Sequence, residues 1–543
     1  MFARVKKSGK FEYLQVVHNE RIDGKVRQRV IATLGRLDLL KETGQLDGLL
    51  ESLGRFSDHV TVINALKQNQ ITPSSSVHVG PTLVFGKLWE RLGLPDILRR
   101  LLEGRKFTFP LERVVFITVL HRLLKSGSDR AAEHWCRRYG FGEIDDLDLQ
   151  HFYRTMGWLG EPLPVDQQPE EESPLGPRLR KDLVEEAMFR RRRDLFTGLR
   201  LVFLDTTSIY FEGEGGSIGH RGYSKDHRPD LNQIVVAVVM DDEGKPVCCE
   251  MLPGNTADIK TLVPVVDRLR ARFAIQDVCI VADRGMISDA TITQLAQRKI
   301  RYILGARLRN VKEIRETVLS RGGRYREVHG PRKDNKSPSP LKVKQVIVND
   351  RRYIVCHNEE QARKDRADRE AILNKLAEQL KQGGKSLVGN KGYRKYLCEV
   401  KGGAFQIDAG KVKEAVRFDG KWVLRTDTDL PPEDVALKYK DLLLVEDTFR
   451  TIKSILETRP IYHKCDDTIR GHVFCSFLAL VLLKELQASI QDRGWSMEWK
   501  RLRDELDELQ ELEMVIGDKR FLVRTPPIGD AGKAIQAVGV ALG

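Results

Sequence analysis

Three residues set seven apart, Tyr439, Glu446 and Lys453, are the place to begin looking for chemistry in this chain. At about 100° per residue, a step of seven returns almost to the same side of a helix, so the three fall on one line. Residues 431–457 predict one long helix. Pro431 and Pro432 suit a first turn, where a missing N–H costs nothing, and Pro460 forbids continuation. Leu442, Val445, Phe449, Ile452 and Leu456 step by three and four and draw an apolar stripe down it. The Tyr–Glu–Lys line runs along the border of that stripe. A carboxylate half-sheltered at a core edge, with a lysine two turns on, suits a metal ligand and a phosphate contact. An amphipathic helix with solvated boundary charges has the same pattern.

Two aspartates upstream weigh toward chemistry. In LRLVFLDTTSIYFEG an apolar strand over 199–205 leads to Asp205, and in VCIVADRGM a second strand, 278–282, delivers Asp283 into a glycine turn. A carboxylate at the exit of a buried strand is held rigidly at the sheet edge, although a turn-forming aspartate has the same signature. Two such aspartates and the helical Glu446 make a hard-oxygen set suited to Mg²⁺, which keeps water and substrate phosphate in its other positions. Two ions about 4 Å apart activate an attacking water or 3′-hydroxyl and stabilise the leaving oxygen of an in-line displacement. The chain contains no defensible Ser/His or Cys/His nucleophile arrangement, and this chemistry needs none.

The elements that must position these acids follow from periodicity. Apolar runs around residues 199–205, 234–240 and 246–252 are joined by short connections and predict an antiparallel meander. A helix over 258–273, the strand ending at Asp283, a helix from Ser288 and the strand RYILGAR complete a strand–strand–strand–helix–strand–helix–strand order, a mixed α/β sheet. Residues 311–430 break that rhythm with polar β-like pieces and a charged helix, and read as an insertion between two halves of the core. An apolar helix is expected over 468–487.

Ahead of the core, residues 1–36 alternate in short β-like runs with a turn at Asp23-Gly24, and they are basic enough to suit a DNA backbone. A solvated sheet face would look alike. Residues 37–70 read as helical and Thr72–Ser76 as a linker. Residues 80–196 are helical throughout apart from an exposed loop over 162–177, and Arg190–Arg193 bring a local positive field. The tail carries an expected acidic helix over 497–513, a strand at KRFLVRT and a last helix after Asp530. The expected organisation is a basic β-module at 1–54, a helical DNA-binding arm at 55–198 and a first core half at 199–310. The insertion at 311–430 follows, then a second core half at 431–495 and a helical tail at 496–543, a candidate oligomerisation surface.

Bulk composition agrees. The 543 residues are 41% hydrophobic and carry a net charge of +14, which favours a polyanionic partner such as nucleic acid. The eight cysteines are scattered without a CxxC pair, which argues against a disulfide framework or structural zinc. His463, Cys465, His472 and Cys475 cluster loosely, but Cys475 falls inside an apolar helix, which argues against a metal there. The longest apolar run, 474–483, is shorter than the ~20 residues that span a bilayer. A soluble, cytoplasmic protein without a membrane partner is expected.

The segments FLDTTSIYFEG, GYSKDHRPDLNQIVVAV, LPGNTADIKTL, VADRGM and YKDLLLVEDTFRTIKSILETRPIYH follow one another from about residue 201 to 485. In content and order they resemble insertion-sequence transposases of the DDE type, in the group marked by a Tyr-x2-Arg-x3-Glu-x6-Lys signature. The resemblance implies a ribonuclease-H-like core with a β-rich insertion and Asp205, Asp283 and Glu446 as ligands of Mg²⁺ or Mn²⁺, two ions in all. It implies a homodimer in a bacterial cell, acting on double-stranded DNA at terminal inverted repeats and at the target. Tyr439 and Lys453 match its DNA-contacting positions. Leu442 stands where the signature has Arg, so either Lys440 or Arg450 takes over that phosphate contact, or the chain is a catalytically impaired DNA-binding derivative. A metal-dependent nuclease that does not join DNA is the third reading.

Overall fold

The structure, a computed structural model, describes residues 1–22, 25–54, 72–142, 144, 147–171, 173–192, 201–275, 278–332, 337–382, 391–400, 404–454, 458–516 and 519–541. It divides into two compact units, Met1–Val79 with Asp507–Pro527, and Gly80–Leu506 with Ile528–Gly543.

The smaller unit holds two three-stranded antiparallel sheets. Phe2–Ser8, Phe11–Ile22 and Lys25–Arg36 form the first, followed by helices Leu37–Glu42 and Gln45–Gly54. The expected turn at Asp23-Gly24 and the expected helix over 55–70 lie outside the described residues. The second sheet overturns two expectations. Thr72–Ser76 is no linker: Thr72–His78 is a strand paired with Gln510–Ile516, whose other neighbour is Lys519–Arg524. The acidic helix stops at Asp507 instead of running to Glu513. The stretch QELEMVI contains good helix formers, but pairing on both sides satisfies its backbone groups as a strand. Tertiary context here overrides propensity.

The larger unit begins with a helical layer, α1 (Gly80–Arg91), α2 (Leu94–Leu101), α3 (Leu111–Leu124), α4 (Asp129–Cys136), α5 (Leu149–Gly160) and α6 (Arg180–Arg192). The core follows as β1 (Leu201–Tyr210), β2 (Gln233–Met240), β3 (Pro246–Pro253), α7 (Leu262–Phe273), β4 (Cys279–Ala282), α8 (Asp289–Gln297) and β5 (Arg301–Gly305). This is the predicted order of elements. The insertion supplies β6 (Arg326–His329), β7 (Leu341–Val348), β8 (Arg351–His357), α9 (Glu359–Gln382) and β9 (Lys421–Thr426). α10 (Pro432–Lys440), α11 (Leu443–Ser454) and α12 (Asp466–Gln491) return to the core.

All nine labelled strands join one sheet, in the order β6-β7-β8-β9-β5-β4-β1-β2-β3. Its half from β5 to β3 is a three-stranded antiparallel meander with two further strands parallel to its first, the arrangement of a ribonuclease-H-like core. The insertion extends the same sheet, because β9 pairs antiparallel with β5. β2 is buried along its whole length, so it reads as a continuous apolar run without alternation.

α12 is long and apolar enough, by length and composition, to cross a membrane, and 72% of its most apolar window is buried inside the protein. It packs along α5 and α3. The α5 contact is close enough that a Cβ at Gly471 would lie 1.9 Å from the Met156 carbonyl oxygen. On the other side of the layer, α6 is fastened to β3 and α7 by buried ion pairs. Lys181 donates to Asp182 and to the Cys249 carbonyl (both 2.7 Å), and Arg272 meets Glu250 (2.8 Å), Glu186 (3.0 Å) and Glu185 (2.5 Å). Arg192, part of the expected positive patch, is partly drawn inward and pairs with Glu485 at 3.1 Å.

Two further expectations are corrected. Residues 431–457 do not form one helix: α10 starts at Pro432 as predicted, but Asp441 and Leu442 make a turn before α11 begins. Leu442 N–H bonds the Tyr439 carbonyl, three residues back, instead of four. The bend lets α10 lie on β5, β7 and β8 while α11 lies on β1 and α12. β1 also does not end at Asp205 but continues for five residues to Tyr210, and Asp205 pairs with Val238.

Candidate active site

Asp205 stands in the middle of β1, the central strand of the core half of the sheet, with its side chain 20% accessible. Burial pushes its carboxyl up to about 6, and the charges of Asp283 and Asp258 push the same way. Lys225 and the Thr206 backbone N–H oppose them, the latter donating to Asp205 Oδ1 at 2.7 Å. Like charges crowded in a desolvated place favour an added cation.

Asp283 follows β4 at the N-cap position of a single 3₁₀ turn, Arg284–Met286, without a side-chain bond to that turn. The Tyr439 hydroxyl, at the end of α10, donates to Asp283 Oδ1 at 3.0 Å. Burial, then the Asp283 charge, holds the phenol well above its ordinary pKa, and Glu446 adds to the effect. The approach needs a glycine on β5: a Cβ at Gly305 would fall 2.2 Å from the Tyr439 hydroxyl oxygen. Glu446 is exposed in the first turn of α11, where the helix dipole favours a negative charge. Asp205 and Asp283 act on each other by charge, Tyr439 touches Asp283, and Glu446 reaches them only through its charge acting on Tyr439. Among the described residues the three carboxylates are not gathered closely enough to be ready-made ion ligands.

The remaining expected residues stand differently. Lys453 donates to Asp226 Oδ1 at 2.6 Å, and Arg459 pairs with the same oxygen. Asp226 is 4% accessible at its side chain, so Lys453 is tied inward to a buried carboxylate and not simply held out to solvent. Arg450 is exposed one turn beyond Glu446. Lys440 is half-buried at the end of α10, and burial lowers its pKa. Leu442 is 5% accessible, with Val445 and Phe449 also buried. The side chains of Ile452 and Leu456 lie outside the described residues.

Sequence reasoning passed over three side chains here. Lys225 Nζ donates to the Thr206 carbonyl (2.6 Å) and hydroxyl (2.9 Å) and lies 3.3 Å from Asp258 Oδ2 and 4.0 Å from Asp205 Oδ1. Asp258 accepts from the Thr206 hydroxyl at 2.7 Å. Asp226, next to Lys225, gathers Lys453 and Arg459. All three lie in segments, GYSKDHRPDLNQ and LPGNTADIKTL, that stood out as motifs without any role for their charges. Beside Asp283 opens a cavity of about 570 Å³ bordered by Asp258, Arg284, Arg307, Arg309 and Lys421. Arg307 braces the Asp283 turn by donating to the Arg284 carbonyl at 3.2 Å. A larger cavity, about 930 Å³, lies between residues 166–178 and helices α7 and α8 and includes none of the three carboxylates.

Residues 197–482 match the family described as transposase DDE domain, and residues 3–65 match the IS1634 family transposase N-terminal domain. No curated protein matches the chain. Among solved structures, a piggyBac transposase synaptic complex with hairpin DNA aligns at 13% identity over 79% of each chain, with a TM-score of 0.36. A Mos1 transposase paired-end complex with left transposon end aligns at 13% identity over 37% of this chain and 61% of that one, with a TM-score of 0.14.

Proposed function

The chain belongs to the DDE transposase family, and on that premise we propose that it nicks the ends of an insertion sequence and joins the freed 3′-ends to target DNA. As a DDE transposase it is a DNA-acting, metal-dependent polynucleotidyl transferase. In our reading Asp205, Asp283 and Glu446 hold two Mg²⁺ or Mn²⁺ ions. The observation that carries it is the desolvated Asp205 carboxylate, crowded by Asp283 and Asp258 on the middle strand of the core half-sheet. Ions bound there would lower the pKa of an attacking water or 3′-hydroxyl and stabilise the leaving oxygen.

The chain's own groups do the positioning. Tyr439 fixes the Asp283 carboxylate while its bond ties the Glu446 helices to the sheet. Arg284, Arg307, Arg309 and Lys421 border the cavity beside Asp283 and suit a DNA backbone lying across it. Arg450 and Lys440 are our candidates for the phosphate contact that the signature gives to Arg. The buried Leu442 position does not offer a side chain to solvent. Tyr439 and Lys453 complete the DNA-contacting set, and Lys453 would exchange Asp226 for phosphate or share its charge with both. The working form is a homodimer holding two ends, in the cytoplasm of a bacterial cell.

Joining is tested with a labelled duplex bearing a pre-cut 3′-end, a supercoiled target and Mg²⁺. Label covalently transferred to the target is expected. Hydrolysis without transfer would make the protein a nuclease, and end binding with neither product would make it an impaired derivative.

A further inference from the structure

Away from the catalytic carboxylates, a second group of ligand atoms meets where the helical layer packs on α12. Asp129 opens α4, His472 lies in the second turn of α12, and His463 lies in the segment leading into α12. His463 Nε2 is 3.1 Å from His472 Nδ1 and 3.2 Å from Asp129 Oδ2, and the three ligand atoms all lie within 4.8 Å of one another. Only about a tenth of the Asp129 and His463 side chains reaches solvent (10% and 11%). Of the residues singled out in sequence, the two histidines come together and the two cysteines do not join them: Cys465 is exposed and Cys475 is buried within α12.

The hydrogen bonds bear on which atoms are free to bind an ion. His472 Nε2 faces the Thr458 carbonyl at 3.2 Å. A carbonyl only accepts, which favours a proton on Nε2, whereas Arg122 Nη1, which only donates, stands 3.1 Å from the same nitrogen. His463 Nε2 stands between His472 Nδ1 and Asp129 Oδ2 and has at most one proton to give, so it serves only one of them well. A cation among the three satisfies every lone pair at once. Ligand atoms on a tetrahedral ion with bonds of about 2.0–2.1 Å stand roughly 3.3 Å apart, close to the two spacings from His463 Nε2. The Thr458 carbonyl on Nε2–H is the outer partner that metal-bound imidazoles usually carry.

Arg122 touches the group without occupying its centre. Its Nη1 is 3.1 Å from His472 Nε2 and its Nη2 is 3.0 Å from Nδ1. His472 Nδ1 thus has both His463 Nε2 and Arg122 Nη2 within hydrogen-bond distance. On Asp129 it reaches Oδ1, at 3.4 Å, and leaves Oδ2 to His463. Its charge weakens the site for a dication.

We propose that Asp129, His463 and His472 form a second metal site for an ion of the zinc class, chemically distinct from the all-oxygen catalytic set. Two imidazoles and one carboxylate favour Zn²⁺ or Co²⁺ over Mg²⁺. Three protein ligands leave a fourth position for water. Its consequence is mechanical. The ion clamps the segment just after Arg459, the partner of Asp226, onto α4 and α12.

The test uses the full chain without an affinity tag, in an Asp205→Asn/Asp283→Asn background that removes two catalytic ligands. Co²⁺ is titrated and followed by visible absorption. One equivalent with the intense band of tetrahedral cobalt is expected, displaced by Zn²⁺ and not by excess Mg²⁺. His463→Ala should weaken binding at least tenfold, and Asp129→Asn should do the same if circular dichroism shows it folded. A parent that gives no such band, or a folded His463→Ala that keeps both band and affinity, overturns the proposal.

Discussion

Asp205 sits in the folded chain with its carboxyl at about 6, against an ordinary value of 3.8. A raised folded pKa means that the fold favours the protonated form. This group's stabilising contribution is complete below about pH 4 and is lost as pH rises through 6. At pH 7.5 without metal, the ionised carboxylate costs up to about 3 kcal/mol. Asp205→Asn should therefore raise the melting temperature in EDTA at pH 7.5, with little gain at pH 4, while abolishing nicking. Thermal melts at the two pH values check this. Lys453 makes a second case, because its partner Asp226 is buried. Lys453→Ala should cost about 1.5–3 kcal/mol in denaturant unfolding without DNA, the worth of a charged hydrogen bond, since Arg459 still partners Asp226. A purely DNA-facing lysine would cost almost nothing.

Among the elements, the junction of α10 with β5 is the tightest support of the site. Gly305→Ala would place a Cβ against the Tyr439 hydroxyl. It should lower nicking at least as far as Tyr439→Phe does, which loses only the hydrogen bond, worth about 1.5–3 kcal/mol to a charged acceptor. Parallel nicking rates of the two variants measure it. The ties between α6 and the sheet predict a different loss. Arg272→Ala leaves Asp182, Glu185 and Glu250 short of their buried cation and should destabilise the protein by about 3–5 kcal/mol in urea, whether or not DNA is present. Which elements were legible follows the same physics. β1, β4 and α12 announce themselves as apolar runs, and Asp205 and Asp283 ride on two of them. The turn at Asp441–Leu442 did not, because Leu442 fits the apolar stripe of a straight helix equally well. The strand Gln510–Ile516 was hidden because its partner, Thr72–His78, lies more than 400 residues upstream. Lys225, Asp226 and Asp258 sit in polar loops without periodicity, and their contacts exist only once those loops lie across β1.

At the scale of the whole molecule, the net charge of +14 predicts how it meets DNA. If six or more phosphates are neutralised, binding to an end duplex should fall by roughly 10³-fold between 50 and 200 mM salt, with a linear plot of log affinity against log salt. Fluorescence anisotropy across a salt series gives the slope, and a flat line would remove the polyanion reading. The central claim joins both ends of the core, because Asp205, Asp283 and Glu446 come from two strands and a helix separated by the whole insertion. Its most direct test is Mg²⁺-dependent nicking of a duplex carrying an insertion-sequence end, by wild type and by Asp205→Asn, Asp283→Asn and Glu446→Gln separately. Each substitution should cut by more than ~100-fold below wild type, beyond what losing an outer-shell partner costs, while end binding persists. Any one of the three nicking as fast as wild type would contradict the shared site.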